Sequence, residues 1–283
     1  MKIAAVAIIY YPTLDFLENL KTYSSEVDKV YVFDNTENGC KIKEQILQVP
    51  KVEYFQDGEN KAIAQRLNTV AKKAILEGYD WLLMMDQDSK FINYSLQYYL
   101  DGIKNYPLRN TVPICCVNYF REEKESLPNA ITQKIDLFIT SGSILNLTLF
   151  AKLGDFDENL FIDFVDTEYS LRCKKMGYKI IQFTNIFLVH QLGNLVKRAS
   201  IKTLYLKKKW KTVYSPIRYY YLCKNNLYIQ KKYKELDVVL MKSIQKTTQT
   251  HLERGIFYGQ KPFKILLTIF IAHWDFRFGE MSK

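Results

Sequence analysis

WLLMMDQDSK, residues 81–90, decides how this chain of 283 residues is read. Five apolar side chains, Trp81 to Met85, run directly into Asp86 and Asp88, which stand one residue apart. An apolar run of this length predicts a strand covered on both faces, the kind found in parallel sheets. Ligands of such sheets bind outside the carboxyl ends of the strands. Two carboxylates emerging there mark a candidate site before any chemistry is assumed. Alone, the Asp-Gln-Asp-Ser turn reads more simply as a solvated cap on the strand. The segments on either side must decide.

Upstream, strand and helix signals alternate. IAAVAII (3–9) reads as a strand, and Thr13 can cap a helix running to Tyr23 with Phe16, Leu17 and Leu20 on one face. KVYVFDN (29–35) reads as a second strand ending in Asp34 and Asn35. A short helix near 41–48 and a strand at KVEYF follow. Residues 60–78 carry a helical period through Ile63, Leu67, Val70, Ala71, Ala74 and Ile75 and stop at Gly78. This alternation implies βαβ units and a mostly parallel sheet. Two strands then end in a carboxylate, at Asp34 and at Asp86, which favours a site along one sheet edge.

Downstream, TVPICCVNY and IDLFITSGSILN read as further strands, the second holding Ser141, Gly142 and Ser143, small residues that let a ligand or backbone approach closely. Between them, 120–131 is polar and reads as a mobile loop. FDENLFIDFVDTEYSLRCKKMGYKI (156–180) sets acids ahead of a helix ending at Met176, and KIIQFTNIFLVHQLGN reads as a strand pair ending at His190. Beyond Leu195 the chain turns helical, basic and aromatic, without repeats.

Composition narrows the class. A hydrophobic fraction of 48% with 25% charged residues is that of a globular protein, not a disordered one. Five cysteines with no CxxC spacing and one adjacent pair exclude a zinc pattern and a disulfide framework, and fit free thiols in a reducing cytosol. The opening MKIAAVAIIYYP imitates a secretory leader, but no small-residue cleavage site follows, so it reads as a first strand. ILLTIFIA (265–272) is shorter than the roughly 20 apolar residues that span a bilayer. The net charge of +10 is concentrated: Tyr169 to Lys234 holds 16 Lys and Arg with no Asp or Glu, leaving −6 for the rest. That segment expects a negatively charged partner.

In order along the chain stand YYP (10–12), FDN (33–35), Asn60 with IAQRLN (63–68), MDQDS (85–89), TSGSILN (140–146), GDFDENLFIDFVDTEYSLR (154–172), VHQLG (189–193) and SPIRYYYLCKN (215–225). This ordered set resembles the inverting family 2 glycosyltransferases of the GT-A fold, in their bacterial rhamnosyltransferase-like branch. Two residues depart from the family's pattern: Ala62 stands where glycine is usual, and Lys224 precedes Asn225 where arginine is common.

The resemblance implies an α/β fold: a Rossmann-like nucleotide-diphospho-sugar transferase domain over 1–195, with a mixed sheet flanked by helices. A helical, basic and aromatic region follows over 196–283. It also implies a divalent cation, Mg²⁺ or Mn²⁺, held by Asp88 directly and by Asp86 nearer the ribose, with His190 as a third metal or phosphate contact. A hard cation on carboxylate oxygens stabilises a diphosphate leaving group as a Lewis acid. Asp166 is the expected base on the acceptor hydroxyl, with Asp163 as its rival about one helical turn away and Glu168 positioning the acceptor or capping the helix. Acids in a first helical turn also favour the helix dipole without any catalytic duty. Asp34 and Asn35 are expected at the base or ribose, with Tyr10, Tyr11 and Pro12 as a wall. Asn60, Asn68, Gln87, Ser141 and Gly142 complete the nucleotide-sugar pocket.

The expected donor is dTDP-β-L-rhamnose, with a UDP-sugar (galactofuranose, glucose or galactose) as the alternative. The expected acceptor is a cell-surface glycan or lipid-diphosphate-linked oligosaccharide. The basic segment 202–226, rich in Trp and Tyr, suits the anionic inner face of the bacterial membrane, giving a cytoplasmic, peripheral enzyme; a homo-oligomer is allowed. The same segment could stack single-stranded nucleic acid, but no nucleic-acid motif accompanies it, and none is expected as partner. A nucleotidyltransferase would want an early Gly-rich phosphate loop, which AIIYYPTLD does not offer.

Overall fold

A computed structural model describes residues 1–190, 194–200 and 205–279. Gln191, Leu192 and Gly193 of the VHQLG stretch, and Lys202, Thr203 and Leu204 of the basic segment, lie outside the described residues. The chain divides into two compact units, Met1–Glu158 with Val165–Gln191, and Asn159–Phe164 with Leu192–Lys283.

The first unit runs β1 (Ile3–Ile9), α1 (Asp15–Ser24), β2 (Lys29–Asp34), α2 (Lys43–Leu47), β3 (Val52–Gln56), α3 (Ile63–Leu76), β4 (Trp81–Asp86), β5 (Ser89–Phe91) and α4 (Ser95–Asn105). It continues with β6 (Ile114–Phe120), β7 (Thr132–Ile135), β8 (Ser143–Asn146), α5 (Leu147–Leu153), α6 (Val165–Lys175) and β9 (Ile180–His190). Among the described residues its nine strands form one mixed sheet in the order β3-β2-β1-β4-β8-β6-β9-β5, with β7 also on β9. β4 lies inside this sheet, parallel to β1 and antiparallel to β8. Trp81 to Met85 are all buried, as the unbroken apolar run requires. Each large side chain so placed contributes about 1.5–3 kcal/mol of burial free energy. One face of the sheet packs Phe16, Leu20 and Tyr23 of α1 and Leu96, Tyr99 and Ile103 of α4 against Ala5, Ala7, Leu83 and Phe183.

Four expectations change. Thr13 does not cap α1, whose first turn follows Leu14 without a side-chain cap; the Thr13 hydroxyl lies 3.5 Å from the Asp15 carboxylate instead. IDLFITSGSILN is not one strand: Ser141 and Gly142 form a turn, Gly142 takes φ +76°, and β8 begins only at Ser143, opposite Met84. The expected strand pair before His190 is a single strand, β9, whose register against β6 shifts between Val117 and Asn118. Buried Asn185 lies in the irregular stretch, and its side chain bonds Leu127 O, Asn129 O and the Ile131 amide of the preceding loop. Finally, the second unit is not wholly helical. Before α7 (Pro216–Lys232), α8 (Val238–Tyr258) and α9 (Pro262–Phe278) it holds an antiparallel pair, β10 (Asn194–Arg198) and β11 (Lys209–Val213).

Candidate active site

Strand direction collects the site. β1, β2 and β4 run parallel, β8 runs against β4, β6 against β8, and β9 with β6. The chain therefore leaves β1 at Tyr10, β2 at Asn35, β4 at Asp86, β6 at Phe120 and β9 at His190 along one edge of the sheet. The Ser141–Gly142 turn enters β8 at the same edge.

Pairing then sets the carboxylates against the imidazole. Gln87 and Asp88 turn the chain from β4 into β5, and the antiparallel register of β5 on β9 sets Ser89 opposite His190. His190 is buried, with Nδ1 2.6 Å from Ser89 Oγ and 3.2 Å from Asp88 Oδ1, while Nε2 lies 3.7 Å from Asp86 Oδ2. Asp86 and Asp88 keep 45% of their side-chain surface exposed. One ligand atom from each of the three lies within 4.8 Å of the others, a group unmatched among the described residues. Two carboxylates and one imidazole fit a divalent cation, and a buried histidine with one nitrogen held by a neighbour is the usual form of such a ligand. Behind them, buried Ser141 accepts the Asp86 amide at 3.1 Å. A Cβ on Gly142 would meet Leu188 Cδ2 at 2.9 Å, so the turn admits only glycine there.

The residues expected on the nucleotide side divide into surface and scaffold. Tyr10 and Tyr11 are exposed, their rings 4.6 Å apart edge to face, and both hydroxyls bond the Glu37 carboxylate. Tyr11 holds φ +45°, a left-handed conformation rare for a bulky residue, pinned by its amide on Thr36 Oγ1. Gln87 points its side chain back to the Tyr10 amide at 2.8 Å. Pro12 is half-buried beside them, and Asn60 is half-buried in the loop before α3.

Asp34 is fully buried, and its oxygens accept the Thr36 and Cys40 amides and the Tyr54 hydroxyl. Burial pushes this carboxyl up, but the bonds from Thr36, Tyr54 and Cys40 outweigh it and hold the group below the usual carboxylate range. Asn35 gives its amide to Lys61 O and accepts Arg66 Nε at 2.6 Å. Arg66, buried on α3, forks onto Asp57 with two bonds of 2.7 Å and stacks 4.1 Å over Phe33. Asn68 is spent on the fold: it clamps both backbone groups of Phe156 and the Glu158 carboxylate.

The three acids near α6 separate. Asp166 is half-buried in the first turn, its Oδ1 taking the Thr167 amide at 2.7 Å. Glu168 is fully buried against Arg172, which also bonds the carbonyls of Leu153, Gly154 and Asp155. Asp163 belongs to the second unit and precedes the helix rather than lying one helical turn along it, with φ +63°. There Arg218 grips its carboxylate with three contacts of 2.8–3.2 Å, and Asn225 bonds the carbonyls of Ile162 and Asp163. Lys224, in place of the family's arginine, is buried with its ammonium 5.6 Å from the Tyr220 ring centroid.

Arg66, Ser89 and Tyr119 are neighbours of the site that sequence reading does not single out. Arg66 and Ser89 stand inside the motifs IAQRLN and MDQDS. Tyr119, whose ring lies edge-on 6.3 Å from His190, stands near the end of a strand bound for the site edge.

Among solved structures, TarS of S. aureus superposes with a TM-score of 0.52 at 14% identity, covering 92% of this chain and 44% of TarS. GalNAc-T7, solved with UDP, GalNAc and Mn²⁺, gives a TM-score of 0.56 at 11% identity, covering 88% and 54%. The chain thus spans about half the length of either, and at such identity they show the fold. No protein-family model matches the chain. The dTDP-rhamnosyl transferase RfbF of Shigella flexneri is 30% identical over 247 residues, 81% of this chain and 80% of RfbF. This chain is a GT-A glycosyltransferase of the rhamnosyltransferase-like branch. The transferase is accordingly a hexosyltransferase, with Asp86, Asp88 and His190 at the carboxyl edge of its sheet. No described helix of it is long and apolar enough to cross a membrane.

Proposed function

We propose that this transferase moves L-rhamnose from dTDP-β-L-rhamnose to a cell-surface glycan carried on a lipid diphosphate, inverting the anomeric centre. The observation that carries the reading is the convergence of Asp86, Asp88 and His190 in a chain 30% identical to a dTDP-rhamnosyl transferase. Asp88 and His190 would hold a divalent cation, with Asp86 beside the ribose; the imidazole donor suits Mn²⁺ better than Mg²⁺. When bound, such a cation neutralises charge developing on the diphosphate.

The chain's own residues supply the rest. Exposed Tyr10 and Tyr11 offer aromatic faces to the base, held in place by Glu37, Thr36 and Gln87. Asp34 and Asn35 act one layer back, the first shaping the 35–40 loop and the second joining it to Arg66 and α3. Asp166 takes the proton of the acceptor hydroxyl. Asp163, already gripped by Arg218, orders the segment before α6, and Glu168 locks α6 to the loop at Gly154. The 1–195 segment carries donor chemistry, and the basic region 196–283 meets the anionic inner face of the membrane.

Calorimetric titration of dTDP and UDP tests the donor side. dTDP should bind only with Mn²⁺ or Mg²⁺ present, more tightly than UDP, and Asp88→Ala should abolish this metal-dependent binding. Equal binding with EDTA would overturn the metal-assisted reading, and preference for UDP would transfer it to a UDP-sugar.

A further inference from the structure

The second unit exposes a surface that its basic segment did not foretell. Within 202–226, Tyr205, Lys207, Lys208, Lys209 and Trp210 are exposed, but the helical part turns inward: Tyr219 and Lys224 are buried, Tyr221 stacks on Phe161 at 5.2 Å, and the Tyr220 hydroxyl bonds Asp275 at 2.6 Å. α9 does the opposite. Ile265 and Ala272 are buried on one face, while Phe263, Leu266, Leu267, Phe270, Trp274 and Phe278 recur every three to four residues on the other and are 46–86% exposed. Asp275, the acid of this helix, is the one drawn to Tyr220. An apolar stripe of this extent on a helix needs a partner.

Charge chooses between partners. The second unit carries 19 Lys and Arg against 6 Asp and Glu, a formal +13. A second copy on this face would bring two such units together, whereas an anionic lipid surface attracts them. At 17 residues α9 is about 26 Å long, too short to cross a hydrocarbon core of about 30 Å but suited to lying in its boundary. We propose that α9 is an interfacial membrane helix, its Phe263–Phe278 stripe entering the headgroup–acyl boundary of an anionic leaflet while the unit's lysines and arginines meet lipid phosphates. This deepens the membrane contact proposed above by adding the α9 stripe to the exposed Lys207, Lys208, Lys209 and Trp210 of 202–226.

Sedimentation of the whole protein with phosphatidylcholine vesicles, with and without phosphatidylglycerol, tests it. Wild type should pellet with the anionic vesicles and stay partly bound in high salt, because the stripe is not screened. Phe270→Ser with Trp274→Ser should lower the partition coefficient about tenfold or more while leaving the thermal midpoint unchanged, since both side chains are exposed. Equal pelleting of this variant and wild type would overturn the proposal. So would a lipid-free dimer, seen by light scattering, that the same pair of changes splits and that ignores vesicles; the stripe would then belong to a second copy. Donor hydrolysis in solution is read separately: vesicle binding without turnover upholds the helix and counts against the proposed donor.

Discussion

At the scale of single residues, the candidate site is a short list of groups held in place by hydrogen-bonded neighbours. Asp86 and Asp88 are visible in the sequence because an unbroken apolar strand that runs straight into two carboxylates sets charge at the sheet edge where ligands bind. His190 is not, since a lone histidine at a strand end is commonly structural, and only the family resemblance singles it out. Asn68 shows the reverse: part of the IAQRLN motif, it is a buried clamp on Phe156 and Glu158. Asn and buried Arg carry no mark in sequence that separates ligand contact from scaffold. Two changes test the assignments here. Asp166→Asn should lower turnover by about 10²–10⁴-fold with donor affinity unchanged, because a general base acts on the acceptor alone; rates and donor titration together check it. Gly142→Ala must accept φ +76° and a contact of 2.9 Å with Leu188. It should destabilise the fold by about 1–3 kcal/mol in urea unfolding and weaken donor binding through the adjoining Ser141–Asp86 bond.

At the scale of elements, β1 to β4 and their helices are legible because hydrophobic period and strand-ending residues agree there. β7, β8 and the bulge of β9 are not, because they depend on pairing between segments distant in sequence. Asn185 gathers a loop more than 50 residues earlier, and Gly142 ends what reads as one long strand. Ionic groups also join elements. Glu77 at the end of α3 meets Lys29 and Tyr31 of β2 and Lys73, and these partners, Lys29 foremost, pull its carboxyl down to about 2. Arg66 likewise holds Asp57 below the usual carboxylate range. A carboxylate whose pKa is lowered by folding contributes stability above its unfolded value, near 4, and loses it as pH falls through the folded one. The urea midpoint should therefore decline from about pH 4.5 toward pH 2. The decline should be shallower in Glu77→Gln; an identical slope in both proteins would remove Glu77 from the account.

At the scale of the whole molecule, the two units differ in charge more than in size. The first carries 21 Lys and Arg against 24 Asp and Glu, so the +10 of the chain belongs to the second. Sequence patterning locates that excess, but it assigns the membrane to the segment richest in cations. Under the proposal above, exposed Phe263 and Phe270 extend that contact to a helix whose apolar run, by length alone, says only that it does not span a bilayer. The proposed donor choice is assigned to the first unit. The measurement that bears most directly on it is release of nucleoside diphosphate from dTDP-β-L-rhamnose and a set of UDP-sugars, each with Mn²⁺, with Mg²⁺ and with EDTA. Wild type should turn over dTDP-rhamnose in a metal-dependent manner, and Asp88→Ala and Asp166→Asn should both lose that activity. Turnover that persists in EDTA or in Asp88→Ala, or that selects a UDP-sugar instead, would contradict the account.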